Sequence, residues 1–432
     1  MQKTTISIRK FYIKNRTVPE WLIFFILITP FAFGLLIDMA GLPTFVRFTL
    51  DFALVALIGI MMARADKRIK RRLLPLILLF TVFTLFLFVS YLFTYQSVFY
   101  FIWGFRNNFR FIFAFFAFIT FMDYDDAEQY LKIFDILFWV NLPICLIQFY
   151  LLGYKQDYLG GLFGTSVGCN VYLNVFLCTV CAKSLIYFLS KKEKLVSLLL
   201  KLFASFFIGA LSELKFFYIE FIVILCIVTL ITKFSWKKVL VIVLGLIGMV
   251  IGVSILIRIF PEYVGQFTLE LLYESAASDK GYTSSGDINR LSAISTISKH
   301  LFSEKYHYFI GYGLGNCDLS SISVFNTPFY ESHSDVNYNW FSHAFMYLET
   351  GYIGLILYLG LFILFFVCAR KSLKDGYADV LHCQLAMTVS LLCLLFAVYN
   401  ASLRTDAAYM IFFILALPFI KKGSSEESPL LD

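Results

Sequence analysis

The sequence predicts an all-α polytopic integral membrane protein, and three observations predict it. Runs of about 18–25 apolar residues recur along nearly the whole chain, and a helix crosses the hydrocarbon core of a bilayer in about 20. The 432 residues are 60% hydrophobic and only 15% charged, where a soluble domain is about 45–50% apolar and about 25% charged. The net charge of +7 is gathered into short basic clusters between apolar runs. That is the positive-inside pattern of a membrane protein and not the footprint of a nucleic-acid binder.

About twelve spans are expected in order, at 19–38, 43–63, 73–94, 105–122, 133–153, 165–189, 195–211, 216–232, 239–259, 341–368, 380–400 and 406–420. Before the first stand Arg9, Lys10, Lys14 and Arg16 with no small-residue cleavage site, so an uncleaved span is expected there. The loop RADKRIKRR at 64–72 separates the second and third. With Lys191–Lys194, Lys233–Lys238, Arg370–Lys374 and Lys421–Lys422 it falls on one side if both termini are cytoplasmic. Asp123, Asp125 and Asp126 precede the fifth span. A D-x-D pair can ligate a divalent metal for a nucleotide sugar, but the loop is too short to hold one, and capping of the next helix is the expected role. Cys178 and Cys181 form C-x-x-C inside a span with no second pair, so neither a metal nor a redox site is expected. Only the polar break Ser212–Lys215 divides the seventh span from the eighth, and the two could be one bent segment. Gly245, Gly248 and Gly252, and again Gly351, Gly354 and Gly360, allow close helix packing.

This order gives an N-terminal bundle of about nine helices at 1–259, an extracytoplasmic loop at 260–340, C-terminal spans at 341–420, and a short polar tail, 421–432, expected to be disordered on the cytoplasmic side. In the loop, Asp287 is a plausible N-cap, and Ile288, Leu291, Ile294, Ile297 and Leu301 recur at helical spacing. An amphipathic helix lying on the outer membrane face is expected, with Arg290 on its first turn. GYGLGN at 311–316 should end it in a glycine turn. It is no dinucleotide fingerprint, because it follows a helix, has the wrong spacing and faces a compartment without nucleotides. Of nine cysteines, Cys317 alone is expected clearly in the hydrated loop, with Cys169 near a helix end, and structural disulfides are not expected.

The outer side is poor in cations, so those left there need a reason. In short loops they are Arg106, Arg110, Lys155, Lys215 and Arg404, and Arg290 comes from the long loop. Arg106 and Arg110 lie one helical turn apart and share a face. Such a cluster suits a phosphate ligand, since guanidinium forks match its oxygens; the alternative is that each side chain snorkels to the headgroups. Arg47 is read differently, because Asp51 four residues on can neutralise it. His343, at the outer mouth of a span, can accept a hydroxyl proton near ambient pH. His333, His300 and His307 are rivals in the loop, and His382 belongs near the cytoplasmic face. Glu349 is an intramembrane carboxylate and therefore a functional candidate, or a partner for an arginine; Glu213 beside Lys215 can be read either way. Tyr306, Tyr308, Tyr312, Tyr330, Tyr338 and Trp340 could stack on sugars, although an interfacial aromatic belt fits them better.

The stretches GFRNNFRF (104–111), QDYLGGLFGTSVGCNVYLN (156–174), LSELKFF (211–217), INRLSAI (288–294), GYGLGN (311–316) and NYNWFSHAFMYLETGYIGL (337–355) together resemble the Wzy-type repeat-unit polymerases of the O-antigen ligase and polymerase superfamily. The resemblance implies a GT-C-like membrane glycosyltransferase without metal or cofactor. It would join polyprenyl-diphosphate-linked oligosaccharides at the outer face of a bacterial cytoplasmic membrane, with inversion. The implied partners are a flippase and a chain-length regulator of the same pathway, and no nucleic acid. The family's catalytic histidine maps onto His343 and its loop arginine onto Arg290. Its diphosphate-binding cations map onto Arg106, Arg110 and Lys215, with Glu213, Glu349, Tyr338 and Arg404 in possible support. The ligase branch usually has arginine where this chain has Lys215, a departure that favours a polymerase and removes a bidentate fork. Two rival expectations are a ligase attaching finished glycan to lipid or protein, and a transporter of a lipid-linked or anionic solute. A transporter would be expected to show broken helices and related halves, and the sequence displays neither.

Overall fold

The computed structural model describes residues 16–64, 71–233, 235–261, 281–283, 286–320, 322 and 325–422. The basic N-terminal segment, most of RADKRIKRR, residues 262–280 and the C-terminal tail lie outside the described residues. Among those described, the regular structure is helical, apart from one antiparallel bridge between Tyr282 and Ile288.

Every stretch predicted to span contains a helix. These are α1 (Val18–Ile28) and α2 (Pro30–Asp38), α3 (Thr49–Arg64), α4 (Leu74–Thr94), α5 (Val98–Phe121), α6 (Tyr124–Leu146), α7 (Asn170–Leu189), α8 (Leu195–Leu211), α9 (Lys215–Ile231), α10 (Trp236–Ile259), α11 (Ser342–Lys374), α12 (Val380–Tyr399) and α13 (Ala408–Ala416). Seven helical stretches among the described residues are long and apolar enough to cross a membrane, and α1 with α2, bent by 53°, would make an eighth. The others fall short for visible reasons. α5 carries Arg106, Asn107, Asn108 and Arg110 through its middle, and α8 and α9 have 17 residues each. The helices divide by environment: 83% of the apolar window of α7 and 78% of that of α12 is buried, against 22% for α4 and α10. α7 and α12 are therefore the interior of the bundle, and α4 and α10 face outward.

Local chemistry sets the ends and breaks. Asp123 caps α6 by accepting from Asp126 N at 2.8 Å while the Asp126 carboxylate accepts from Asp123 N at 3.2 Å, so the D-x-D stretch is a capping box. Pro30 takes away the hydrogen bond that would continue α1, which explains the 53° bend. The glycines of α10 admit neighbouring rings and not, as expected, a neighbouring backbone: an added Cβ at Gly252 would come 2.8 Å from Tyr218 and 2.9 Å from Phe206. Between α6 and α7 the chain turns inward. Gln148 holds both the N–H (2.7 Å) and the C=O (2.9 Å) of Gly161, and Phe163 packs among Phe31, Tyr172 and Phe176. Side chains thus satisfy the peptide groups that burial withdraws from water.

The loop differs from its expectation. Asp287 does not cap a helix, because its carboxylate accepts from Asn337 Nδ2 at 2.6 Å, and Ile288 N donates to Val336 O. Helical geometry begins only at Ala293–Thr296 and continues as a wider turn, Ile297–Leu301. Its apolar residues Ile288, Ala293, Ile297 and Leu301 join the core, while Leu291 is exposed. Ser298 Oγ lies 2.6 Å from the Tyr347 hydroxyl of α11. The apolar face therefore packs on protein rather than on the membrane surface. Cys317, expected in water, is fully buried beneath Tyr338, whose hydroxyl donates to its carbonyl at 2.8 Å.

α11 is itself broken. Gly351 has φ 62 and ψ −166, and the preceding segment Ser342–Thr350 is buried at every position. The break frees carbonyls that the glycine turn takes up: Tyr312 N donates to Leu348 O and Gly313 N to Glu349 O, each at 2.9 Å. Gly311, Gly313 and Gly315 have φ of 68, 97 and 84, and added side chains there would strike α11, Gln96 and Tyr100. Only glycine permits this approach. Two helix breaks thus exist that the sequence did not display.

Candidate functional site

At the end of the bundle where α3 begins and α12 ends, the structure sorts the cations into two neighbourhoods. The first is a lattice of alternating charge. Asp51, on the first turn of α3, accepts from Arg106 Nη2 and lies 3.7 Å from Arg110 Nη1. Asp406 accepts from Arg110 Nη2 at 3.0 Å and lies 3.6 Å from Arg47 Nη1. Asp318, from the loop, accepts from Asn107 Nδ2 at 2.6 Å and pairs with Arg404 at 3.3 Å. Guanidinium faces rest on rings, with Arg106 over Trp103 and Phe48, and Arg404 over Phe345. Four arginines meet three aspartates, so the net surplus is a single charge. Arg110 and Asp406 are 8% and 6% exposed, and a pair so desolvated is held only by close geometry.

One expectation is corrected here. Arg47 does not pair with Asp51; it reaches Asp406 and donates to the Tyr172 hydroxyl at 3.2 Å. Arg47 sits in the 3₁₀ turn Thr44–Phe48, where about 3.0 residues complete a turn, so the i, i+4 geometry of an α-helix does not apply. A narrow recess bordered by Phe31, Phe163, Tyr172, Asp406 and Met410 lies on this side, and His343 is not part of its wall.

The second neighbourhood is built on the end of α12. A helix leaves its last carbonyls without partners and carries partial negative charge there. In this chain they are claimed by groups that the sequence scatters. His343 Nδ1 lies 3.0 Å from Ala397 O. Arg290 Nε donates to Tyr399 O at 3.3 Å. Ser342 donates to Asn400 O through both its N–H (3.0 Å) and its hydroxyl (2.9 Å). The other imidazole nitrogen, Nε2, lies 3.0 Å from Arg290 O. The Arg290 guanidinium carbon stands 5.0 Å from the centroids of both Phe341 and Tyr399, and Tyr399 stacks on Phe216 at 4.3 Å. Lys215, next to Phe216, pairs with Glu213 at 3.0 Å. Among the described residues Arg290 meets no carboxylate within ion-pair distance, which sets it apart from the lattice arginines.

The remaining candidates fall elsewhere. Glu349 is fully buried at the α11 break, where Oε1 accepts from Cys317 N at 3.1 Å and Oε2 has no partner among the described residues. It thereby holds the turn that carries Asp318. Tyr338 is buried and serves neither as a sugar platform nor in a belt, whereas Tyr306 and Trp340 are exposed. His333 stacks on Phe329, and His307 accepts from Glu304 N at 3.3 Å. Burial pushes His307 below the ordinary imidazole range. His300 lies near Tyr282, their ring centroids 5.8 Å apart. His382 is buried against Glu128 at 3.0 Å near the start of α6, away from both outer neighbourhoods. Cys178 donates to Glu220 inside the bundle.

Sequence reading missed Asp406, Asp318, Tyr399 and Phe216. The aspartates were legible in kind, since an acidic residue beside an apolar span calls for a partner. The carbonyls of Ala397, Tyr399 and Asn400 leave no trace in side-chain identity. A scan against protein-family models and a comparison with curated proteins each find no match to this chain.

Proposed function

We propose that the chain is a membrane glycosyltransferase that polymerises oligosaccharide repeat units. It passes a growing glycan from a polyprenyl diphosphate to a lipid-linked repeat at the extracytoplasmic face. The reading includes twelve spans with both termini cytoplasmic, a GT-C-like bundle and a bacterial cytoplasmic membrane, in the company of a flippase and a chain-length regulator. It rests on the sequence resemblance, and one structural observation carries it: an imidazole and a guanidinium that meets no carboxylate among the described residues gather at the end of α12.

The chemistry follows from tautomer and position. Each ring nitrogen lies 3.0 Å from a carbonyl oxygen, Nδ1 from Ala397 O and Nε2 from Arg290 O, so either can carry the proton. Base chemistry requires the Arg290 carbonyl to leave Nε2; the Nδ1 proton then stays on Ala397 O, and a sugar hydroxyl donates to the Nε2 lone pair. The hydroxyl oxygen then attacks the anomeric carbon from the face opposite the diphosphate. The bond from that carbon to the phosphate oxygen breaks with its electron pair, and the proton passes to Nε2. Inversion results. The carbonyls ending α12 favour the imidazolium so formed, and such base catalysis is worth about 10²–10⁴ in rate. Arg290 offsets the charge on the departing diphosphate, whereas Lys215 already has Glu213 as its partner. Arg106 and Arg110 already have aspartate partners; they hold the site's frame and do not contact the ligand.

Purified protein supplied with lipid-linked repeats in detergent should lengthen them without any gradient. Deletion of the protein should leave surface glycan of single-repeat length; normal-length polymer lacking its anchor would replace this reading with a ligase. The breaks at Thr29–Pro30 and Gly351 favour a second reading, transport of a lipid-linked or anionic solute. Movement of lipid-linked repeats across vesicles with no lengthening would select it.

A further inference from the structure

The Arg290 side chain shows how its geometry is controlled. It is exposed, yet its position is set on three sides. Phe341 and Tyr399 lie 5.0 Å from the guanidinium carbon, and Nε is spent on the Tyr399 carbonyl. Among the described residues neither Nη donates to a protein oxygen, so the two-pronged edge of the fork is left for something else. Tyr399 is in turn backed by Phe216 at 4.3 Å, their planes 14° apart. Phe341 also lies beside the His343 ring, with centroids 6.3 Å apart. The main chain of Arg290 touches His343 Nε2, while its side chain rests on the end of α12. One residue therefore joins base and cation, and its placement depends on an aromatic support.

We propose that Tyr399 is the positioning residue of this site, holding the Arg290 fork edge-outward to receive a lipid diphosphate with two parallel hydrogen bonds, and that Phe216 braces it. The inference rests on the glycosyltransferase reading for its ligand and goes beyond it in assigning Tyr399 and Phe216. The physical reason is orientation. A guanidinium recognises phosphate only in its own plane, and a ring against its face fixes that plane while leaving the edge free. The Tyr399 hydroxyl takes part in neither contact, so phenylalanine should serve as well as tyrosine. Leucine has no face to offer.

The test uses the full-length protein in detergent and two readouts: binding of undecaprenyl diphosphate, and elongation of lipid-linked repeats. Tyr399→Leu should weaken diphosphate binding and raise KM for the donor about tenfold, within the range of one cation–π contact, with kcat changed less than about twofold. Tyr399→Phe should restore both. Phe216→Leu should give a smaller shift in the same direction. Arg290→Lys should weaken binding by itself, and adding Tyr399→Leu to it should weaken binding little further, because the fork to be positioned is gone. The proposal is overturned if Tyr399→Leu binds like wild type, if its effect adds fully to that of Arg290→Lys, or if phenylalanine fails to rescue. If wild type binds the diphosphate lipid in this Tyr399-dependent way but elongates nothing, the positioning role stands and the polymerase reading falls. If wild type elongates and Tyr399→Leu does so with unchanged KM, the reverse holds.

Discussion

The two cationic neighbourhoods at this end of the bundle, where α12 finishes, differ in what neutralises them. In the lattice, each guanidinium of Arg47, Arg106, Arg110 and Arg404 has an aspartate within 4 Å. At the end of α12, Arg290 has rings and a carbonyl, and no carboxylate among the described residues. The lattice is complete without a ligand, because its charges are already met. The α12 end is not: it holds a cation with an open edge beside an imidazole held between two carbonyls. Scarcity of cations in a stretch of sequence marks positions of interest; their counterions decide which positions await an anion.

The sharpest way to break this contrast is His343→Ala. It should cut elongation about 10²–10⁴-fold with the protein still present in the membrane, read by a gel of glycan lengths beside a blot. Unchanged polymer would remove the α12 end from the chemistry. Asp406→Ala probes the other side. Removing the nearer of the two carboxylates from buried Arg110, with Asp51 left at 3.7 Å, should cost up to about 3–5 kcal/mol, seen as earlier thermal unfolding in detergent, with the activity of each folded molecule preserved. A fall in activity at full stability would place the lattice in the ligand site. Arg290→Ala should raise donor KM roughly 10–100-fold, the worth of about 1.5–3 kcal/mol for a charged hydrogen bond, and leave the unfolding temperature nearly unchanged. Arg106→Ala should do the opposite, and a KM change there would erase the distinction between the two regions.

The smallest effect comes from the loop over the α11 break. Burial holds His307 below the ordinary imidazole range, so the folded state favours its neutral form, which accepts from Glu304 N. That contribution is complete above the unfolded value of about 6.5 and is lost as pH falls through the lower folded value. Thermal stability should therefore decline on acidification below about pH 6.5, and less so in His307→Phe. An identical decline in both would show that other groups carry the pH response.

Legibility followed the range of the interaction. The capping box at Asp123 and Asp126 and the glycine face of α10 were readable, because their partners lie within one turn or on one apolar stripe. The helix expected from Asp287 failed for the same reason in reverse. Its carboxylate was claimed by Asn337, fifty residues away, which no local pattern announces. Arg47 failed through one wrong assumption about turn geometry.

By itself the sequence determined the helical, lipid-compatible character of the chain and the chemical kinds available at its helix ends, since hydropathy and side-chain charge are properties of short stretches. The tertiary structure alone decided which arginines are already neutralised, that the glycine turn threads the break in α11, and that the orphan carbonyls of α12 gather His343, Arg290 and Ser342. Those outcomes depend on helix ends meeting across hundreds of residues, and on main-chain groups that are the same in every amino acid.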